Sequence, residues 1–260
     1  MTRHPPEPWL SHYRDLLDEL GADPWGSPFA EFVARCNALA RERNLPVTFA
    51  KPGSNRKSGA RIYEERIVSL GEVETHGMLH DSVNALVWLR FPLTKLAISR
   101  LHVAEFATRE ERTRTRRQDG ATLLDEHGLI FIARDPIWFD HIRHHRWTRM
   151  WIDERDAFVD ATQTVVFGHG LLLRLPAPHR ALTAHALPLF IGDDTSEGVD
   201  LDMRVASAIE ELVDPADLMP LPVMGLPGWS AGQDAAFYGD SGVFRAPASK
   251  RGGHKPTGQP

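Results

Sequence analysis

The sequence predicts a helix-dominated α+β fold with a small β-sheet or hairpin, built as one domain. Three observations predict it. Most of the 260 residues fall in segments whose apolar residues recur at helical spacing. Only two stretches, residues 121–133 and 182–191, carry the apolar runs of strands. No internal repeat or linker divides the chain, which is long enough to bury a sizeable core.

The elements follow in order. Leu10, Tyr13, Leu16, Leu17 and Leu20 give a helix over Trp9–Leu20 that stops at Gly21. Ser27-Pro28 opens a second helix, with Phe29, Phe32, Val33, Cys36, Leu39 and Ala40 inward, that ends before Pro46. Residues 50–60 read as a basic Gly/Ser-rich loop and Tyr63–Leu70 as a short helix. Residues 78–90 form a helix, and Pro92 suits the first turn of the next, Phe91 to Phe106. Residues 108–118 are a charge run; 121–133 read as a strand, a turn at Glu126-His127-Gly128 and a second strand. Asp135-Pro136 caps a helix through His145, which Trp147–Ala157 extends. Ala161–Leu175 reads as a core helix, residues 182–191 as a buried strand and Val199–Val213 as an amphipathic helix. The domain spans 1–247, and 248–260 read as a disordered tail.

Composition narrows the function classes. The chain is 42% hydrophobic and 25% charged, an ordinary globular balance. A net charge of −5 argues against a general nucleic-acid or membrane coat. The single cysteine, Cys36, excludes an internal disulfide and reads as a buried thiol. The first residues, MTRHPPEPWL, lack a signal-peptide pattern, and no apolar run approaches the ~18 residues of a membrane span. The expectation is a soluble, cytoplasmic protein with no membrane partner.

The chemistry is carried by polar groups beside the core. In LHDSVNALVWLRFPLTK, residues 79–95, His80, Asn84 and Trp88 share a helical face, and Asp81 flanks them. Asp81 could simply cap the helix, accepting a bond from the Asn84 amide. A cap explains neither His80, which beside a carboxylate can be a general base or a metal ligand, nor Asn84, whose amide can orient a substrate. In residues 112–126, Arg116, Arg117 and Asp119 abut a core segment that holds Asp125 and Glu126. Arg117 could form a structural pair with a carboxylate or clamp an anion. His169 and His185 lie in apolar segments. A lone core histidine is usually satisfied by a carbonyl, but with His80 and His102 these would suffice for a divalent metal if they converge. His141, His144 and His145 share a half-exposed helical face. TAHA and GDSG resemble fragments of a serine-protease pattern, but too few residues separate them and Val243 replaces the second glycine. No dinucleotide, Walker or nucleophile-elbow motif is present.

Taken together, LHDSVNALVWLRFPLTK, RQDGATLLDEHGLIF, HHRWTRMWIDER, FGHGLLLRL, LTAHALPL and PVMGLPGW…FYGDSGVFR resemble, over about residues 60–245, a bacterial family known only as a domain of unknown function. The resemblance supplies no activity. It singles out His80, Asp81, Asn84, Lys95, Asp119, Thr122, Asp125, Glu126, His169 and Thr183. The chain departs from the pattern at Ser82-Val83, at Gly120, at His127 and at Leu172-Leu173, where a glutamate is usual.

Three functions follow as expectations. The first is a hydrolase-like enzyme for a small anionic substrate. His80 polarised by Asp81 would be its base and Asn84 its orienting group. Asp119, Asp125 and Glu126 would supply acid/base chemistry or metal ligation. Arg117, Lys95, Thr183 and His169 would hold substrate, and His80, His169 and His185 a divalent metal. The second is a non-catalytic binding or scaffold protein in which the same residues form buried hydrogen-bond networks. The third, nucleic-acid binding through Arg56, Lys57, Arg109, Arg112, Arg114, Arg116 and Arg117, is the weakest given the acidic charge. One observation separates them: whether these groups share a solvent-reachable cavity.

Overall fold

A computed structural model describes residues 7–52, 59–107, 113–192 and 200–245. It shows a helix-dominated α+β fold with a two-stranded and a four-stranded sheet. The expected tail at 248–260 lies outside the described residues. Among those described, no helix is long and apolar enough to cross a membrane.

The first half follows the helical periodicity. A 3-10 turn, Pro8–Leu10, leads to α1, Arg14–Leu20, which closes at Gly21 with φ +58°. The Tyr13 hydroxyl donates to the Val166 carbonyl at 2.8 Å, tying this end to the distant sheet. α2, Phe29–Glu42, buries Phe32, Val33, Cys36, Leu39 and Ala40. Next come β1, Thr48–Ala50, α3, Ala60–Leu70, and β2, Glu72–Glu74, which pairs in parallel with β1. These three-residue strands are too short for a period-2 pattern to show. α4, Leu79–Arg90, is buried from Asp81 to Leu89, so it runs through the core. α5, Pro92–Ala107, starts at its proline. Its first turn is held from afar: the Asp202 carboxylate accepts from the Leu93 and Thr94 amides and the Thr94 hydroxyl, at 2.7–2.8 Å.

Three sequence expectations fail in the middle. Residues 121–133 are not a strand, turn and strand. α6 spans Arg116–His127 and passes directly into β3, Gly128–Ala133. Thr115 accepts from the Gln118 amide and Gln118 reaches back to the Thr115 amide, a reciprocal N-terminal cap that outweighs the apolar look of Ala-Thr-Leu-Leu. Ala161–Leu175 is not one helix either. α7, Ile137–Arg143, a π-helical turn at Arg149–Asp153 and α8, Arg155–Ala161, precede β4, Thr162–Val166, whose β-branched run pairs antiparallel with β3. A short helix, α9, His169–Arg174, follows. Residues 147–157 do not extend α7, because His145 turns the chain with φ +51°.

The larger sheet has the order β4-β3-β5-β6, with β5, Thr183–Phe190, parallel to β3, and β6, Met219–Pro222, antiparallel to β5. β5 matches the predicted strand. β6 forms one border. Val223 donates to Leu182 across the register that pairs Leu221 with Ala184, so Pro220 and Pro222 occupy the outward-facing positions. α10, Leu201–Glu211, packs on α5, and α11, Ala235–Tyr238, joins an aromatic cluster with Trp151 and Phe244.

Candidate functional site

Three helices bring the chemistry together. α4 presents His80, Asp81 and Asn84 from its first two turns, α6 presents Asp125 and Glu126 from its last, and α9 begins with His169. Glycine makes the approach of α9 feasible. A Cβ on Gly168 would lie 2.3 Å from the Gly128 nitrogen, and one on Gly170 would lie 2.7 Å from Glu126 Oε2 and 2.9 Å from the Glu126 carbonyl oxygen. The Gly-His-Gly segment therefore docks on the junction of α6 and β3 because the residues flanking His169 have no side chains.

The result is a cavity of about 340 Å³. Its walls include His80, Asp81, Asn84, Asp125, Glu126 and His169, with Tyr63, Glu64, His102, Thr122 and Arg114 around them. His80 Nε2 stands 3.8 Å from Glu126 Oε2, and His169 Nε2 stands 3.5 Å from Glu126 Oε1. The outer nitrogens each face another carboxylate. His80 Nδ1 lies 3.7 Å from Asp81 Oδ1, and His169 Nδ1 lies 3.8 Å from Asp125 Oδ1. Both imidazoles thus point Nε2 at one shared carboxylate and Nδ1 at a private one.

The spacing carries information. A charge-assisted N–H···O bond is about 2.7–2.9 Å long, and the Nε2 contacts are clearly longer. Two donors at ~2.0–2.1 Å from a tetrahedral ion sit roughly 3.3–3.4 Å apart. Ligand atoms of His80, Glu126 and His169 all lie within 4.8 Å of one another, so the three side chains could hold a metal ion. His169 is 3% exposed and its Nδ1 has no hydrogen-bond partner. Asn84, 8% exposed, leaves its Oδ1 without one, and Tyr63 lines the same wall.

Electrostatics follow from these contacts. The imidazoles of His169 and His80 hold the Glu126 carboxyl well below the ordinary carboxylate range, and Glu126 in turn raises His80. Burial pushes Asp125 up, but the Lys95 ammonium, at 2.5 Å, and His169 bring it below its ordinary value. Lys95 is itself buried, 5.5 Å from the centre of the Trp88 ring. Glu64 goes the other way: burial, with the Asp125 charge nearby, raises it to about 7 against the pull of Ser99, Lys95 and Arg114. Burial lowers His102.

The matching family model is described as a protein of unknown function (DUF3025) and covers residues 47–248. The chain belongs to this family. No curated protein and no solved structure matches it. The match extends beyond the span of resemblance read from the motifs and supplies no activity for DUF3025.

The structure places the sequence-selected residues in two groups. His80, Asp81, Asn84, Asp125, Glu126 and His169 share the cavity, and Lys95 stands behind Asp125. Asp119, Arg117, Thr183 and His185 do not line it. Asp119 is exposed on the first turn of α6. Arg117 donates to the Leu212 and Glu210 carbonyls, so its fork ties α6 to the end of α10. Thr183 is exposed, bonds the Ala181 carbonyl and lines a separate cavity with His145 and Trp147. His185, half-buried on β5, stands outside the group of three that includes His80 and His169; Glu126 takes the third place. Asp81 accepts from the His76 and Met78 amides, at 2.6 and 3.3 Å, rather than from Asn84. Of the basic residues considered for nucleic acid, Arg116 pairs with Asp214; Arg56, Lys57, Arg109 and Arg112 lie outside the described residues.

Sequence reading missed Tyr63 and Glu64 and assigned Arg114 to a solvated charge run. The available signal was helical: Ala60, Tyr63 and Glu64 share the i, i+3, i+4 face of α3, which packs on α5.

Proposed function

We propose that this cavity is the active site of a metal-assisted hydrolase for a small substrate with an anionic group. One observation carries the reading: two imidazoles from different helices aim their Nε2 atoms at the two oxygens of Glu126 at 3.8 and 3.5 Å, longer than a charge-assisted hydrogen bond. In this reading His80, Glu126 and His169 hold a divalent ion, and His80 is a ligand rather than a free base. The ion would act as a Lewis acid and make water a competent nucleophile near neutral pH. The charges of Asp81 and Asp125, 3.7 and 3.8 Å from the Nδ1 atoms, favour imidazoles that carry the proton on Nδ1 and bind the ion through Nε2. Lys95 keeps Asp125 charged and in place. Asn84, with its Oδ1 unpartnered on the cavity wall, offers a polar amide to the substrate. The volume suits a metabolite-sized ligand.

The test begins with metal alone. Chelator-stripped protein is titrated calorimetrically with Zn²⁺ and Mn²⁺; one ion per chain is expected, with affinity reduced at least ~100-fold in H169A and E126Q. Equal binding by wild type and both variants would remove the reading. The loaded protein is then assayed on p-nitrophenyl acetate, p-nitrophenyl phosphate and leucine p-nitroanilide. Ion binding with no turnover on any of them above that of E126Q would retain the metal site and refute hydrolysis.

A second reading, a non-catalytic scaffold, draws support from polar groups that are spent on the fold. Asp202 caps α5, Arg117 binds α10, and Asp81 binds the segment before α4. H80A separates the two: a scaffold loses melting temperature, whereas a metal enzyme loses ion affinity out of proportion to stability.

A further inference from the structure

We infer that the cavity accepts a small oxyanion only after the ion is bound, and that Arg114 is the side chain that holds the anion's far end. The inference rests on the proposed function and names the ligand class and the order of assembly.

The argument is one of charge. The described wall carries the carboxylates of Glu64, Glu74, Asp81, Asp125 and Glu126, and Arg114 is the only lysine or arginine on it. Arg66 bonds both Glu72 and Glu74, and Lys95 matches Asp125. Glu64 is drawn toward its neutral form by burial. Among the described residues, Asp81 and Glu126 are left without a lysine or arginine partner, against the single charge of Arg114. A cavity of that sign repels an anion, and low-dielectric walls strengthen the repulsion. A divalent ion between His80, Glu126 and His169 reverses the balance to net positive. An oxyanion can then replace solvent on the ion with one oxygen and accept from the Arg114 guanidinium with another.

Arg114 is placed for this. It lies on the wall just before Thr115, the cap of α6, while Glu126 closes the same helix at its other end. It shares that wall with Glu64 and His102. Arg117, which the sequence offered as the anion clamp, is committed to the carbonyls of α10.

The test uses full-length protein, Zn²⁺ and two probes, inorganic phosphate and acetate, followed by calorimetry. Loaded wild type should bind at least one probe, with affinity at least ~10-fold above that of the stripped protein. Loaded R114Q should lose at least ~10-fold in probe affinity while its zinc affinity and melting temperature stay at wild-type values. R114K, which keeps the charge, should recover part of the loss, and R117Q should bind the probe as wild type does. Probe binding that is equal with and without zinc, or unchanged in R114Q, overturns the inference and leaves the metal site standing. Failure to take up zinc overturns the proposed function itself, so the two failures are distinguishable.

Discussion

Replacing Lys95 by methionine removes one charge from a buried pair while keeping most of the packing volume. Lys95 is 4% exposed and its Nζ lies 2.5 Å from Asp125 Oδ1. At an effective dielectric constant of about 20, that separation corresponds to a gross attraction of roughly 6–7 kcal/mol. Desolvating the two ions costs several kcal/mol each, so the intact pair contributes little net stability. Removing one partner is different, because Asp125 is left charged against His169 and the core. K95M should therefore lose about 3–5 kcal/mol in urea unfolding of the stripped protein. The double variant K95M/D125N should recover a large part, a coupling on the order of 2 kcal/mol. D125N alone should also weaken zinc binding by about 10–100-fold, because His169 loses the carboxylate that faces Nδ1. A K95M loss below about 1 kcal/mol, or losses that simply add in the double variant, would refute a buried, coupled pair behind the histidine.

Three further outcomes are expected. G170A should cost about 1–3 kcal/mol and weaken zinc binding, because its Cβ would meet the Glu126 carboxylate at 2.7 Å; wild-type zinc affinity in a folded G170A would contradict the close approach of α9. D202A should lose about 2–3 kcal/mol by thermal or urea unfolding, since the first turn of α5 then has buried amides without an acceptor; a change below about 0.5 kcal/mol would show that the cap is dispensable. Glu64 should make stability fall as pH rises. Its folded-state value, about 7, lies above the ordinary 4.5, so the folded chain binds more protons through that window and the advantage is lost toward and above pH 7. The effect is on the order of 3 kcal/mol at most, less with solvent screening, and E64Q should flatten the stability–pH curve between about pH 4.5 and 7; an unchanged curve would refute it.

The sequence made the helices legible where one face is buried and failed where context decides. α2, α4, α5 and α10 were read from apolar spacing, glycine and proline. α6 was misread because Ala121, Leu124 and the adjoining β3 together look like an apolar strand pair; the cap at Thr115-Gln118 was the overlooked signal. β4 was absorbed into a helix because its pairing with β3 is a long-range fact that no local window contains. For the candidate site, His80, Asp81, Asn84, Asp125, Glu126 and His169 were all singled out from the sequence. Their convergence was not readable, since it depends on α9 settling, through its own Gly168 and Gly170, onto the end of α6. Arg117 and His185 were attractive by residue type alone, and their neighbours in space give them other surroundings.

The border of the larger sheet has a consequence for self-association. A strand that ends a sheet ordinarily offers both amide donors and carbonyl acceptors, and a foreign strand can zip onto them. With prolines at both outward positions of β6, that side offers carbonyls alone. A second copy of the chain meets no amide hydrogen at exposed Pro220 and a covered position at Pro222, so edge-to-edge sheet growth is opposed at this side by chemistry and by packing together. Exchanging the exposed Pro220 for valine would restore one donor to solvent, while Pro222, buried in a cavity wall with Trp147 and Arg245, stays covered whatever residue stands there.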